Sequence, residues 1–196
     1  MLKVAITGNI GTGKSTVCKI FESLGIHVYY ADPEARKFYQ RDAVRDAVKQ
    51  LFGSQVFDKK GQLITAELAR LAFADDARLR QLNAIIHPLV LDDFIAWANS
   101  HNNEPYIIYE SALLFESGFY RHFDQCILVA APVELAMKRV MKRDGLTEAE
   151  FMMRQARQMS QEEKTHLADH VIENNESRLL IPQVIALHDQ FALRTS

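Results

Sequence analysis

Cysteine is scarce in this sequence: Cys18 and Cys126 are the two present among 196 residues. Two thiols in apolar surroundings exclude a disulfide framework and a cysteine-built metal cluster, and they read as reduced core side chains. Charge of one sign is also missing. With 23 Lys and Arg against 25 Asp and Glu, the formal net charge is -2, so no basic field supports a nucleic-acid or polybasic membrane partner. Long hydrophobic runs are absent as well, since no apolar stretch approaches the roughly 20 residues that span a bilayer. The opening "MLKVAITG" lacks the charged start, apolar run and small-residue cleavage site of a secretory signal. A soluble, cytoplasmic protein is expected, with no nucleic-acid and no membrane partner. What is there is apolar material, 48% of residues. At this length it can bury one sizeable core with small inserted subdomains, but not two large independent domains.

Leu2 to Thr7 form an apolar, β-rich run ending at glycine, and Ser15 to Leu24 then show helical spacing through Val17, Ile20, Phe21 and Leu24. Four further runs, "IHVYY", "YIIYE", "QCILVA" and "HVIEN", read as short strands. Their near-continuous apolar character suggests burial on both faces, as in a parallel sheet, and the helical segments between them complete an α/β reading. The gap between the second and third strands is too long for one crossover helix. Residues 32–99 are therefore expected to form an inserted helical subdomain, with a stripe of Val44, Val48 and Leu51, a helix start at Thr65 and a last helix opening at Pro88.

Between the first strand and the first helix lies "GNIGTGKST", Gly8 to Thr16, which fits the phosphate-binding P-loop pattern. Its glycines free the backbone to turn N–H groups around phosphate oxygens, Lys14 supplies positive charge to the β/γ region, and Ser15 offers a hydroxyl to Mg²⁺. Asp32, in "YYADPEAR" after the second strand, reads equally as a helix N-cap with proline at the first helical position or as a catalytic carboxylate facing ligand. Glu110, ending "YIIYE", is placed either to reach a metal ion directly or through water, or simply to be solvated. The apolar "SALLFE" after it, with Leu114, is a wall against substrate or a piece of core. Arg139 and Arg143 lie four apart on one helical face, where like charges repel by about 0.2–0.5 kcal/mol unless an anion sits between them. A capping-box pattern at Thr147 and Glu150 then opens a helix expected to carry Arg154 and Arg157, so the pair reads as a lid over a triphosphate or as an exposed basic face. His87 before Pro88 is by itself more typical of a turn or cap, and no set of His and Cys has zinc-ligand spacing.

Taken in order, "ITGNIGTGKSTV", the "AD…AR" after strand two, "LNAIIHPLV", "LLFE", "RVMKRDGL" and "RQARQMSQEEKTHLADHVIEN" make the chain resemble the dephospho-coenzyme A kinase family over nearly its whole length. The resemblance implies an α/β P-loop kinase fold: a five-stranded parallel sheet flanked by helices, with a helical substrate-binding insert and a small helical lid. Residues 1–31 with 100–138 and 156–196 would form the nucleotide-binding core, 32–99 the dephospho-CoA insert and 139–155 the lid. It implies ATP held by Gly8, Gly11, Thr12, Gly13, Lys14, Ser15 and Thr16, with Asn174 near the adenine pocket. Asp32 would be the general base toward the ribose 3′-hydroxyl of dephospho-CoA, helped by Lys14, Arg139 and Arg143. Asp32, His87, Glu110 and Leu114 would line the acceptor side, and Mg²⁺ would be held by Ser15, with Glu110 reaching it through water.

The chain departs from the family pattern at several positions. Tyr30 stands where the first acid of an Asp-Ala-Asp triplet is common, and Ile64 and Thr65 stand where Asp-Arg or Asn-Arg is expected. Glu110 and Ala112 replace an aspartate and a proline, and Glu176 replaces a glycine. Other readings are a different P-loop nucleotide or small-molecule kinase, or an ATP-dependent switch. Against a guanine-nucleotide switch, no Asn-Lys-x-Asp motif is present, and "DKKG" at Asp58 to Gly61 falls inside the helical insert.

Overall fold

The structure, a computed structural model, describes residues 1–72 and 74–193. Along the chain come β1 (Leu2–Thr7), α1 (Lys14–Ser23) and β2 (Val28–Tyr30), then four helices, α2 (Ala31–Phe38), α3 (Asp42–Phe52), α4 (Thr65–Ala72) and α5 (Asp76–Ser100). They are followed by β3 (Tyr106–Glu110), β4 (Gln125–Ala130), α6 (Val133–Asp144), α7 (Glu148–Gln155), α8 (Gln161–Leu167), β5 (His170–Glu173) and α9 (Leu180–Leu193). The chain divides into two compact units, one of Met1–Tyr30 with the described residues from His101 on, the other Ala31–Ser100.

The first unit is built on five strands in the order β2-β3-β1-β4-β5, every neighbouring pair parallel. β3 is buried at all five positions and β1 at Val4, Ala5 and Ile6. Burial on both faces is why these strands read as apolar runs instead of alternating patterns. Period-two alternation sends Val4 and Ile6 of β1, Tyr106 and Ile108 of β3, and Ile127 and Val129 of β4 into one core with Val17, Cys18 and Phe21 of α1 and Val184 and Phe191 of α9. Tyr106 is fully buried, and its hydroxyl is satisfied by His188 Nδ1 at 2.8 Å while its ring stands edge-on to Phe21.

The second unit is helical throughout its regular structure, apart from one isolated bridge between Phe57 and Leu63. α4 begins at Thr65, as its sequence suggests. Pro88, however, does not open a helix: it lies inside α5, which runs 25 residues. Proline removes one N–H and its ring opposes the carbonyl four residues back, Ala84, a break that ordinarily costs about 3 kcal/mol. Leu82, Ile86, Val90, Phe94 and Ala98 recur every four residues along α5 and are all buried. Burial of that stripe outweighs the local break. On α3 the buried stripe is Val44, Val48 and Phe52, with Phe52 in place of the Leu51 expected from spacing. Among the described residues no helix is long and apolar enough to cross a membrane.

Candidate phosphate-transfer site

The loop from Gly8 to Gly13 joins β1 to α1, so a helix N-terminus, whose dipole favours an anion, lies at its base. Thr12 N–H turns back to Asn9 O at 3.3 Å and Thr12 Oγ1 donates to the same oxygen at 2.9 Å. Thr12 is thus buried and holds the loop's shape. Gly11 has φ +80° and Gly13 φ +96°, and both are also tightly packed: a Cβ on Gly11 would run into Ala136 O of α6, and one on Gly13 into Asn174 Nδ2. Only glycine meets both demands. Lys14 Nζ lies over the loop, donating to Gly8 O at 2.8 Å and to Asn9 O at 3.4 Å. Ser15 and Thr16 follow it in the first turn of α1.

Glu110 is 7% exposed, and the strand register sets it beside Ile6 of β1 and Tyr30 of β2. The Ser111 N–H next to it donates to Ile6 O at 3.1 Å. This carboxylate therefore sits at the same edge of the sheet from which the phosphate loop springs. Burial, then the Glu110 and Glu22 carboxylates, push the Cys18 thiol far above its ordinary range, and burial lifts the Cys126 thiol to about 12. Both are free, buried and unreactive at neutral pH. Leu114 has no exposed surface and acts as core; the outward side chain of "SALLFE" is Leu113, at 40%. That burial fits the core reading of Leu114, one of the two alternatives the sequence leaves open.

Asn174 ties the far end of the sheet to the loop, its Nδ2 donating to Thr12 O at 2.8 Å. Arg139 then ties α6 to Asn174, donating to its backbone oxygen and to Oδ1, each at 3.2 Å, and to Glu176 Oε1 at 3.3 Å. Arg143 lies in the last turn of the same helix, paired bidentately with Asp144, whose carboxyl it holds below the usual carboxylate value. Each arginine thus has its own protein carboxylate, so repulsion along α6 is offset without a bound anion. Thr147 and Glu150 do form the capping box that opens α7. That helix ends at Gln155, so it carries Arg154 while Arg157 falls in the following turn. Ala136, Val140 and Phe151 bury a small core between α6 and α7, with Ile10 of the phosphate loop packed on it. Sequence reasoning passed over Asn9 and Gln158, which join this loop to the segment after α7.

In the second unit, α2 starts at Ala31, so Asp32 lies inside the first turn and not at the cap position. Pro33 is harmless there, because first-turn N–H groups have no intrahelical partner to lose. His87 sits within α5, where burial holds its pKa below 6.5, keeping it neutral at pH 7.

Among the described residues no three His, Cys, Asp or Glu side chains are grouped to hold a metal ion. Oxygen donors around the loop include the Ser15 hydroxyl and the Glu110 carboxylate. That sparse oxygen set fits Mg²⁺, which keeps waters and takes substrate phosphate oxygens as its remaining ligands.

A five-stranded parallel sheet with a GxxxxGKS loop between its central strand and the first helix defines a P-loop protein of the kinase type. Residues 2–179 match the dephospho-CoA kinase family model. A dephospho-CoA kinase of Bacteroides fragilis is 40% identical over 187 residues, covering 95% of this chain and 91% of its own. A solved structure from Thermus thermophilus superposes with a TM-score of 0.82 at 36% identity, covering 97% of this chain and 96% of that one. The dephospho-CoA kinase of Campylobacter jejuni shares the fold at a TM-score of 0.70 and 24% identity, covering 99% and 98%. The chain belongs to the dephospho-CoA kinase family.

Proposed function

We propose that the chain transfers the γ-phosphoryl group of ATP to the ribose 3′-hydroxyl of dephospho-CoA, yielding coenzyme A and ADP, as a cytoplasmic enzyme. The observation that carries this reading is the phosphate loop joined through Asn174 to Arg139, in a chain of this family. Phosphoryl transfer asks for positioning and charge stabilisation more than for covalent chemistry. Loop N–H groups and Lys14 hold the β- and γ-phosphates, Thr12 and Thr16 support the loop, and Asn174 lies toward the adenine. Arg139 and Arg143 exchange their protein carboxylates for phosphate oxygens, with residues 139–155 acting as the lid.

The Ser15 hydroxyl would hold Mg²⁺ and Glu110 would reach it through water; the ion supplies charge neutralisation to the β/γ oxygens. The helical unit carries the acceptor, with His87 in its binding part. Asp32 orients the 3′-hydroxyl and takes its proton as that oxygen bonds to phosphorus and the bridging oxygen leaves with ADP.

Purified protein incubated with Mg·ATP and dephospho-CoA should add one phosphate to the acceptor, read by mass spectrometry. Asp32→Asn should lower turnover by roughly 10²–10⁴-fold with ATP affinity nearly kept, and Lys14→Ala should weaken both. An acceptor left unmodified, or Asp32→Asn turning over normally, would overturn the assignment.

A further inference from the structure

A network of buried and half-buried polar groups is bonded to the phosphate loop through side chains given no part in holding ATP, the metal ion or the acceptor. Gln158, just after α7, accepts the Ile10 N–H on Oε1 at 2.8 Å, and its Nε2 donates to Ala112 O at 3.4 Å. Asn9 Nδ2 donates to Met159 O at 3.1 Å, and Met159 N–H donates to Glu116 Oε1 at 2.9 Å. The same carboxylate oxygen receives Lys164 Nζ at 2.8 Å, and that ammonium also donates to Ala112 O at 3.4 Å. Lys164 has 0% side-chain exposure and Glu116 17%. Glu116 Oε2 and Asn9 Oδ1 are buried with no protein hydrogen-bond partner.

Such an arrangement is an expensive way to gain stability. Two charges taken out of water recover little more than their desolvation cost, and apolar side chains of similar volume usually do as well or better. Apolar groups could not, however, fix the Met159 N–H and the Ala112 carbonyl in one register. Met159 and Gln158 in turn hold Asn9 and Ile10, the second and third residues of the loop.

We infer that the Lys164–Glu116 pair, acting through Gln158 and Met159, positions the Asn9–Ile10 arm of the phosphate loop for phosphoryl transfer. With the Ile10 N–H committed to Gln158, the arm has one orientation, and the loop from Gly11 to Ser15 closes on the phosphates from a fixed starting point. Preorganised groups of this kind act in the transition state as much as in binding, since small misplacements of reacting groups cost up to about 10²-fold in rate. Lys164, Glu116 and Gln158 are positioning residues; none of them touches substrate. The inference rests on the phosphate-transfer reading, but its nucleotide arm needs only the loop.

The decisive variant is Gln158→Leu, which cuts the link to Ile10 and leaves the buried ion pair whole. Mg·ADP affinity measured by calorimetry on the full chain should fall on the order of 10-fold, and kcat by 10-fold or more. KM for dephospho-CoA should stay within about twofold. Lys164→Met should act in the same direction. Adding Glu116→Gln should recover a large part of that loss, because the amide Oε1 still accepts from Met159 N–H and no carboxylate is left unpaired. Where Lys164→Met alone does not fold, Gln158→Leu decides.

Normal Mg·ADP affinity and kcat in folded Gln158→Leu, with only a lower melting temperature, would overturn the inference. So would a double variant no better than Lys164→Met. Failure of the unmutated chain to phosphorylate dephospho-CoA strikes the acceptor assignment instead and leaves the Mg·ADP comparison intact.

Discussion

Glu176 has φ +64°, the one left-handed non-glycine residue among those described. An L side chain there costs about 1–2 kcal/mol, and the 3.3 Å pair that its carboxylate makes with Arg139 returns roughly 0–1 kcal/mol, since Glu176 is exposed. The family resemblance expects glycine at this position, and the backbone angle is the physical reason. In urea denaturation, Glu176→Gly should be more stable than Glu176→Ala by about 1 kcal/mol, because both lose the carboxylate and only alanine keeps the strain. The reverse order would show that the turn is not strained. Of the loop, the spacing of Gly8, Gly13, Lys14 and Ser15 is legible in one dimension because each acts within a few residues of the next. The reason for Gly11 is not, since the backbone it approaches belongs to Ala136 on another helix. Leu114 is ambiguous for a similar cause: an apolar run after a strand does not say which side chain turns inward.

Two helices open with complete capping boxes, α7 at Thr147 with Glu150 and α8 at Ser160 with Glu163. In each, hydrogen bonds from the cap residue hold the glutamate carboxyl below its usual value. Ser160→Ala should cost about 1 kcal/mol in thermal or chemical unfolding, and no loss would mean that neighbouring contacts alone hold α8. The central strands β1, β3 and β4 are readable as elements because burial on both faces writes itself as an unbroken apolar run, which the edge strands β2 and β5 carry less fully. α5 was not read in full. Proline signals a helix start in local terms, whereas the buried stripe from Leu82 to Ala98 that carries the helix through Pro88 is a tertiary effect. Least visible was the link between the phosphate loop and the segment before α8, whose Gln158 and Ile10 are 148 residues apart in the chain.

At the scale of the whole molecule, half-buried His87 ties stability to pH. Its folded pKa lies below 6.5, so below that pH the unfolded chain binds more protons than the native one. Stability should therefore be fullest above about pH 7 and decline as pH falls through the ordinary histidine range. His87→Gln should flatten that decline between pH 7 and 5, measured as the urea midpoint at each pH; an unchanged slope would show that His87 titrates alike in the folded and the unfolded chain.

The strand order has a further consequence, in the sequence of events during synthesis. β1 pairs with β3 and β4, and its first partner residue is Tyr106. About a hundred residues must emerge before β1 has any neighbour, and parallel pairings across such separations are slow to form. In that interval Ala31–Ser100, whose helices pack on one another within the segment, is the part able to fold. The apolar first strand, with the nucleotide loop at its end, is left waiting as an unpaired edge, the kind of exposed segment that nascent chains need protected until the sheet can close around it.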